Sequence, residues 1–79
     1  MPFLNFTFEN TDSDQAFTVT DQKDNSRNPI FNGPVNHGSE SPSIQCWQGS
    51  DGNGRVLISG NASVGQYFDI RTDNDEVRY

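Results

Sequence analysis

The sequence predicts a small all-β domain, an antiparallel β-sandwich or barrel-like fold of six to seven short strands without a helix. Two observations predict this class. Apolar and polar residues alternate with a period of two over short runs, and clusters of Asn, Asp, Ser and Gly separate the runs. No segment shows the i, i+3, i+4 apolar spacing of an amphipathic helix. We therefore expect one β domain over residues 1–79.

The first two predicted strands are expected to pair as a hairpin. Residues 3–9 alternate Leu4, Phe6 and Phe8 with polar side chains, which is typical of a half-buried strand. Residues 10–14 form a turn-rich cluster of Asn, Thr, Asp and Ser. A second alternating run follows over residues 16–21.

The remaining strands are shorter. Residues 29–32 begin with a proline, which favours a sheet edge, and Gly33-Pro34 is expected to turn the chain. Residues 43–48 form the fourth strand, and the Gly-rich residues 49–54 are the strongest turn signal. Alternation resumes over residues 55–59 and 66–71, and residues 76–79 add a possible last strand.

The alternation assigns one side of each strand to the core. The predicted core is aliphatic and aromatic and contains Leu4, Phe6, Phe8, Phe17, Val19, Ile30, Ile44, Cys46, Val56, Ile58, Phe68 and Ile70. The opposite side of the fourth, fifth and sixth strands then carries Gln45, Trp47, Arg55, Leu57, Tyr67, Asp69 and Arg71. Antiparallel sheets usually leave such a side polar, so this aromatic face is the candidate ligand or interface site.

Composition restricts the partners. The chain is acidic, with a formal net charge of −6 and only five Lys and Arg residues. Nucleic acids and anionic membranes bind through clustered Lys and Arg, so neither is expected as a partner. A basic protein, a cation or a neutral ligand remains compatible. Hydrophobic residues make up only 30% of the chain, which suggests that a partner subunit helps to bury its surface.

No catalytic constellation is recognisable, and we expect the protein not to be an enzyme. His37 is the only histidine and lies in a Gly/Ser loop, where a solvated side chain is the simpler interpretation. Cys46 alternates in phase with Ile44 and is expected to be a buried, inert thiol.

No cofactor or metal ligand is assigned. Calcium is the one cation considered, because aspartates recur in the turns at residues 12–14, 51–53 and 73–75. Asx residues are also what tight turns require. After the second of these segments, Arg55 occupies a position where a calcium site would need a further oxygen ligand.

The sequence does not assign the protein to a cellular compartment. The single cysteine excludes an intrachain disulfide framework. The sequence also lacks a recognisable signal peptide and any apolar run long enough for a membrane span.

Three hypotheses about function follow from the sequence, two of them from the aromatic face. The first is a protein-interaction module that self-associates through Trp47, Leu57 and Tyr67, because interfaces are enriched in Tyr, Trp and Arg. The second is a lectin-like carbohydrate-binding module that uses Trp47 and Tyr67. The third is a small secreted inhibitor or effector that presents residues 22–28 or the His37 loop. A purely structural alternative is that Trp47 and Tyr67 cover a second small core beneath residues 22–28.

Overall fold

A computed structural model describes residues 2–24, 28–61 and 64–79, and it confirms the all-β class. These residues form seven strands: β1 (Phe3–Glu9), β2 (Gln15–Asp21), β3 (Pro29–Val35), β4 (Ile44–Trp47), β5 (Gly54–Ser59), β6 (Gln66–Ile70) and β7 (Asp75–Arg78). The described ranges include no helix long and apolar enough to cross a membrane.

The strands form two sheets. One is three-stranded in the order β4-β1-β7, and the other is four-stranded in the order β3-β2-β5-β6. All neighbours are antiparallel except β1 and β7, which run parallel. The shortest dimension of the molecule is 15 Å, as expected for two sheets stacked about 10 Å apart.

The core lies between the sheets and largely matches the predicted one. Phe6, Phe8 and Phe17 are almost completely buried, and the rings of Phe8 and Phe17 meet edge to face from opposite sheets with centroids 5.1 Å apart. Of the predicted core residues, Ile30 and Phe68 are only partly buried, although both pack against the core. Val35 belongs to the core and was not predicted.

The predicted hairpin of the first two strands is wrong. β1 pairs with β4 and β7, whereas β2 pairs with β3 and β5. The chain crosses between the sheets at Asn10, whose fully buried side chain donates to the carbonyl groups of Ser13 and Val35 and accepts from the amide of Asp12. These hydrogen bonds pair polar groups of the crossing segment that lie in the interior, where an unpaired polar group would lower the stability of the fold.

The predicted turn at Gly33-Pro34 is also wrong. β3 continues to Val35, and Pro34 lies opposite Ala16 of β2. β3 is an edge strand of its sheet, and edge strands are where proline is tolerated, because it cannot donate a ladder hydrogen bond. A third departure from the prediction is β7, which pairs with β1 as a parallel neighbour.

A buried carboxylate ties the two sheets together. Asp21 ends β2 and is fully buried. Its Oδ2 accepts a hydrogen bond of 2.8 Å from the backbone N–H of Trp47 in the other sheet, and its Oδ1 accepts one of 2.9 Å from the N–H of Lys23. A carboxylate has only acceptor oxygens, so it suits a site with two converging N–H donors.

The sheets approach closely beside this carboxylate. A Cβ atom on Gly54, the first residue of β5, would lie 2.6 Å from Cys46 Sγ and 3.1 Å from the carbonyl oxygen of Trp47. Because real Cβ atoms do not approach other atoms that closely, β4 and β5 can pack at this distance only with glycine here.

Asp21→Asn should lower the free energy of unfolding by about 1–3 kcal/mol, because an NH₂ group then replaces one acceptor and leaves a buried N–H without a partner. Urea denaturation measures the change. Asp14→Asn is the matched control, since that exposed carboxylate accepts a single bond from the N–H of His37. Equal losses in the two variants would contradict the anchoring role of Asp21.

Gly54→Ala should destabilise the protein by about 1–3 kcal/mol through overpacking. Gly33→Ala serves as control, because its Cβ would meet only the Phe31 ring at an ordinary 3.5 Å. That substitution should leave stability unchanged or raise it by about 0.4–1 kcal/mol. Thermal unfolding of the two variants tests the contrast, which fails if Gly54→Ala melts like the parent protein.

Candidate functional site

The structure divides the predicted aromatic face between the two sheets. Gln45 and Trp47 belong to β4 in the three-stranded sheet, whereas Leu57 and Tyr67 belong to β5 and β6 in the four-stranded sheet. Trp47 alternates with the buried Cys46, so it lies on the outer side of its own sheet. The expectation of one face across three sequential strands is therefore wrong, since β4 and β5 lie in different sheets.

Four of the seven predicted site residues lie together on the four-stranded sheet. Leu57 is directly opposite Tyr67, and Arg55 is opposite Asp69. The guanidinium of Arg55 pairs with Asp69 at 3.1 Å and lies 5.1 Å from the centre of the Tyr67 ring. Arg71 lies just beyond the end of β6.

This cluster continues onto β2, where Thr20 is opposite Leu57 and Thr18 is opposite Ser59. We call this surface the Tyr67 face and define it by Thr18, Thr20, Arg55, Leu57, Tyr67 and Asp69. Tyr67 is 57% exposed and is one of three exposed large hydrophobic side chains among the described residues.

A second aromatic cluster lies on the outer side of the three-stranded sheet. Phe3 of β1 is opposite Trp47 of β4, and their ring centroids are 4.6 Å apart with the planes inclined by 37°. Phe3 is 43% exposed and Trp47 is half-buried. The next outward pair along these strands is Asn5 and Gln45. We call Phe3, Asn5, Gln45 and Trp47 the Trp47 strip.

An open groove of about 220 Å³ continues from this strip. It is lined by Phe6, Thr7, Glu40, Ser43, Asn74, Asp75 and Glu76. Three of these side chains are carboxylates and none is basic. Asp75 uses both oxygens within the fold, accepting from the N–H groups of Arg71 and Glu76. Glu40 and Glu76 are exposed and make no ion pair with another described residue.

The aspartates considered for calcium have other partners. Asp51 accepts from Lys23 Nζ and from the N–H of Asn53, and these hydrogen bonds hold the pKa of Asp51 below its usual range. Asp14 accepts from the N–H of His37, and Asp73 accepts from Asn5. Within residues 2–24, 28–61 and 64–79, no three acidic, His or Cys side chains are grouped as metal ligands.

Cys46 and His37, the two residues considered for catalytic chemistry, have the surroundings of structural residues. Cys46 is a free cysteine at 1% exposure; burial raises the pKa of its thiol to about 11, and the nearby Asp21 carboxylate adds to the effect. The ring Nδ1 of His37 lies 2.7 Å from the carbonyl oxygen of Asp12 on an exposed loop. Residues 25–27 of the loop predicted to present an inhibitory surface lie outside the described residues.

Sequence reasoning missed Phe3, Asn5, Glu40 and Glu76 as members of a surface cluster. Phe3 carried a signal, because it is out of phase with Leu4, Phe6 and Phe8 and so had to face outward. Asn5 has the same outward phase, whereas Glu40 and Glu76 carried no signal. Only the parallel pairing of β7 with β1 brings Glu76 beside Thr7.

The chain matches no protein-family model, and comparisons with curated proteins and with solved structures find no match. The site is therefore interpreted from its own geometry.

The buried thiol should make stability depend on pH. Between about pH 9 and 11 the unfolded chain loses the Cys46 proton while the folded chain keeps it, so stability falls as pH rises, by about 1–3 kcal/mol. Urea denaturation across this range, compared with Cys46→Ala, measures the effect. The two proteins differ only at residue 46, so the comparison isolates the thiol; identical pH profiles would refute the assignment.

Proposed function

We propose that the protein is a non-enzymatic protein-interaction module that associates with a second copy of itself through the Tyr67 face. The observation that carries the proposal is an exposed Tyr67 and a half-buried Leu57 side by side on a sheet face with little charge. Exposed aromatic side chains flanked by Arg are typical of interface centres.

The charge distribution favours a second copy as the partner. The chain carries eleven acidic residues against five basic ones, so most contacts between two copies would be repulsive. On the strands that form the Tyr67 face, the outward charged residues are Arg55 and Asp69, and they pair with each other. A face with one positive and one negative charge is complementary to itself in a two-fold interface, where each patch meets its own copy.

The size of the face predicts weak association. Three strands about 4.8 Å apart and about five residues long give a face of roughly 14 Å by 17 Å. That is a few hundred Å² per partner, below the roughly 800 Å² of a standard stable interface. Association should therefore be reversible, and we expect it at micromolar or higher concentrations.

The lectin-like hypothesis in its first form needs Trp47 and Tyr67 on one platform. The two side chains lie on different sheets, so the fold does not bring them onto one platform. Self-association through Leu57 and Tyr67 needs only residues that are adjacent in the fold.

Charge reversal tests self-association directly. Arg55→Asp leaves two acidic groups on the face and Asp69→Arg leaves two basic groups, so each variant alone should be monomeric in sedimentation velocity. An equimolar mixture of the two should associate, because opposite charges then meet across the interface. The parent protein should show concentration-dependent sedimentation.

Ser50→Glu is the matched control, since it adds one negative charge to an exposed turn away from the face and should sediment like the parent. A parent protein that remains monomeric at high micromolar concentration would overturn self-association. A mixture that stays monomeric while the parent associates would place the interface elsewhere.

A further inference from the structure

We propose that the outer side of the three-stranded sheet holds a second binding site, for a short neutral oligosaccharide, formed by the Trp47 strip and the adjoining acidic groove. This site shares no residue with the Tyr67 face and lies on the other sheet. It replaces the Trp47 and Tyr67 pair of the lectin-like hypothesis with residues that the fold does bring together.

The aromatic end of the strip is held in place. The backbone N–H of Trp47 donates to the buried Asp21, and the N–H of Gln48 donates to the carbonyl of Pro2 at 3.1 Å. These bonds fix the backbone at Trp47 and Gln48, and the Trp47 ring packs against Phe3. Two aromatic rings fixed in this way offer an apolar surface without a large ordering cost, and the apolar face of a sugar ring can stack on it.

The middle of the strip supplies amide groups. The backbone and side-chain N–H groups of Asn5 both donate to Asp73 Oδ1, at 2.9 and 3.0 Å, and these bonds hold the pKa of Asp73 below its usual range. The Asn5 side chain is therefore oriented before any ligand arrives. The exposed Gln45 lies opposite it, and an amide both donates and accepts, as recognition of hydroxyl groups requires.

The groove supplies strong acceptors. Glu40 and Glu76 line the groove of about 220 Å³ together with the hydroxyl-bearing residues Thr7 and Ser43. Pockets that enclose a whole small ligand are usually about 300–1,000 Å³. The groove is therefore suited to one unit of an extended ligand whose remainder lies on the strip.

Charge and spacing select the ligand class. No basic side chain lines the groove, so acidic ligands are disfavoured. From Phe3 to Thr7 the strand rises four residues, or about 13 Å, and the outward side chains change from aromatic to amide to hydroxyl. Fixed aromatic rings next to neutral hydrogen-bonding groups match a neutral polyhydroxylated chain better than a basic peptide, which would need carboxylates along the whole strip.

Trp47 is the only tryptophan and reports on the site directly. The protein is first screened on an array of neutral glycans. The hits, and in every case the hexamers of glucose, mannose and N-acetylglucosamine, are then titrated while Trp47 fluorescence is recorded. We expect at least one hexasaccharide to shift the emission to shorter wavelength, with little dependence on salt. The corresponding monosaccharide should bind more weakly.

Variants locate the binding. Phe3→Ala keeps the reporter and should weaken binding about tenfold, because the sugar loses one of its two stacking rings. Glu76→Gln should weaken it less. Tyr67→Ala on the other sheet is the matched control and should leave the titration unchanged. Circular dichroism and thermal melting confirm that each variant is folded.

Two results would overturn the proposal. The first is a screen in which no neutral glycan binds. The second is a salt-sensitive response to hexalysine with none to the sugars, which would make the groove a site for basic peptides. Either result leaves self-association through the Tyr67 face intact, because that face is tested by sedimentation.

Discussion

The buried carboxylate of Asp21 is the interaction on which the arrangement of the two sheets depends. It fixes the end of β2 to the backbone of Trp47 in β4, beside the point where Gly54 lets β5 approach Cys46. The same residue, Trp47, packs its ring against Phe3 on the outer side of the sheet. A single interior carboxylate, which accepts from two N–H groups, thus joins the two sheets at the residue whose ring forms the surface aromatic pair.

The positions of the strands and most of the core could be predicted from the sequence, because the two-residue period of a strand is a local property. The pairing of the strands into two sheets could not be predicted from the sequence. Phe8 and Phe17 show the same alternation whether their strands are neighbours in one sheet or face each other across a sandwich, and the structure has them facing. The hairpin expectation failed because Asn10 is buried and makes the crossing between sheets.

The same reasoning accounts for the candidate site. The period of β4 correctly places Trp47 outward, but it does not say on which sheet. Leu57, Tyr67, Arg55 and Asp69 were grouped correctly because β5 and β6 form a local hairpin. The acidic groove was not predictable, since it requires β7 to pair with β1 from the other end of the chain. If both proposals hold, two copies would join through their neutral faces and present the Trp47 strips in opposite directions.

The parallel pairing of β1 with β7 also has a consequence for biosynthesis. β1 comes first among the described strands, yet its neighbour across Phe6 to Glu9 is β7, which comes last among them. Contacts between segments that are distant in sequence form slowly, because the chain loses the entropy of loop closure before those contacts stabilise it. During translation the Phe6 and Phe8 strand would therefore wait with one edge unpaired until residues 75–78 leave the ribosome, and an unpaired edge is where a nascent chain is most prone to aggregate.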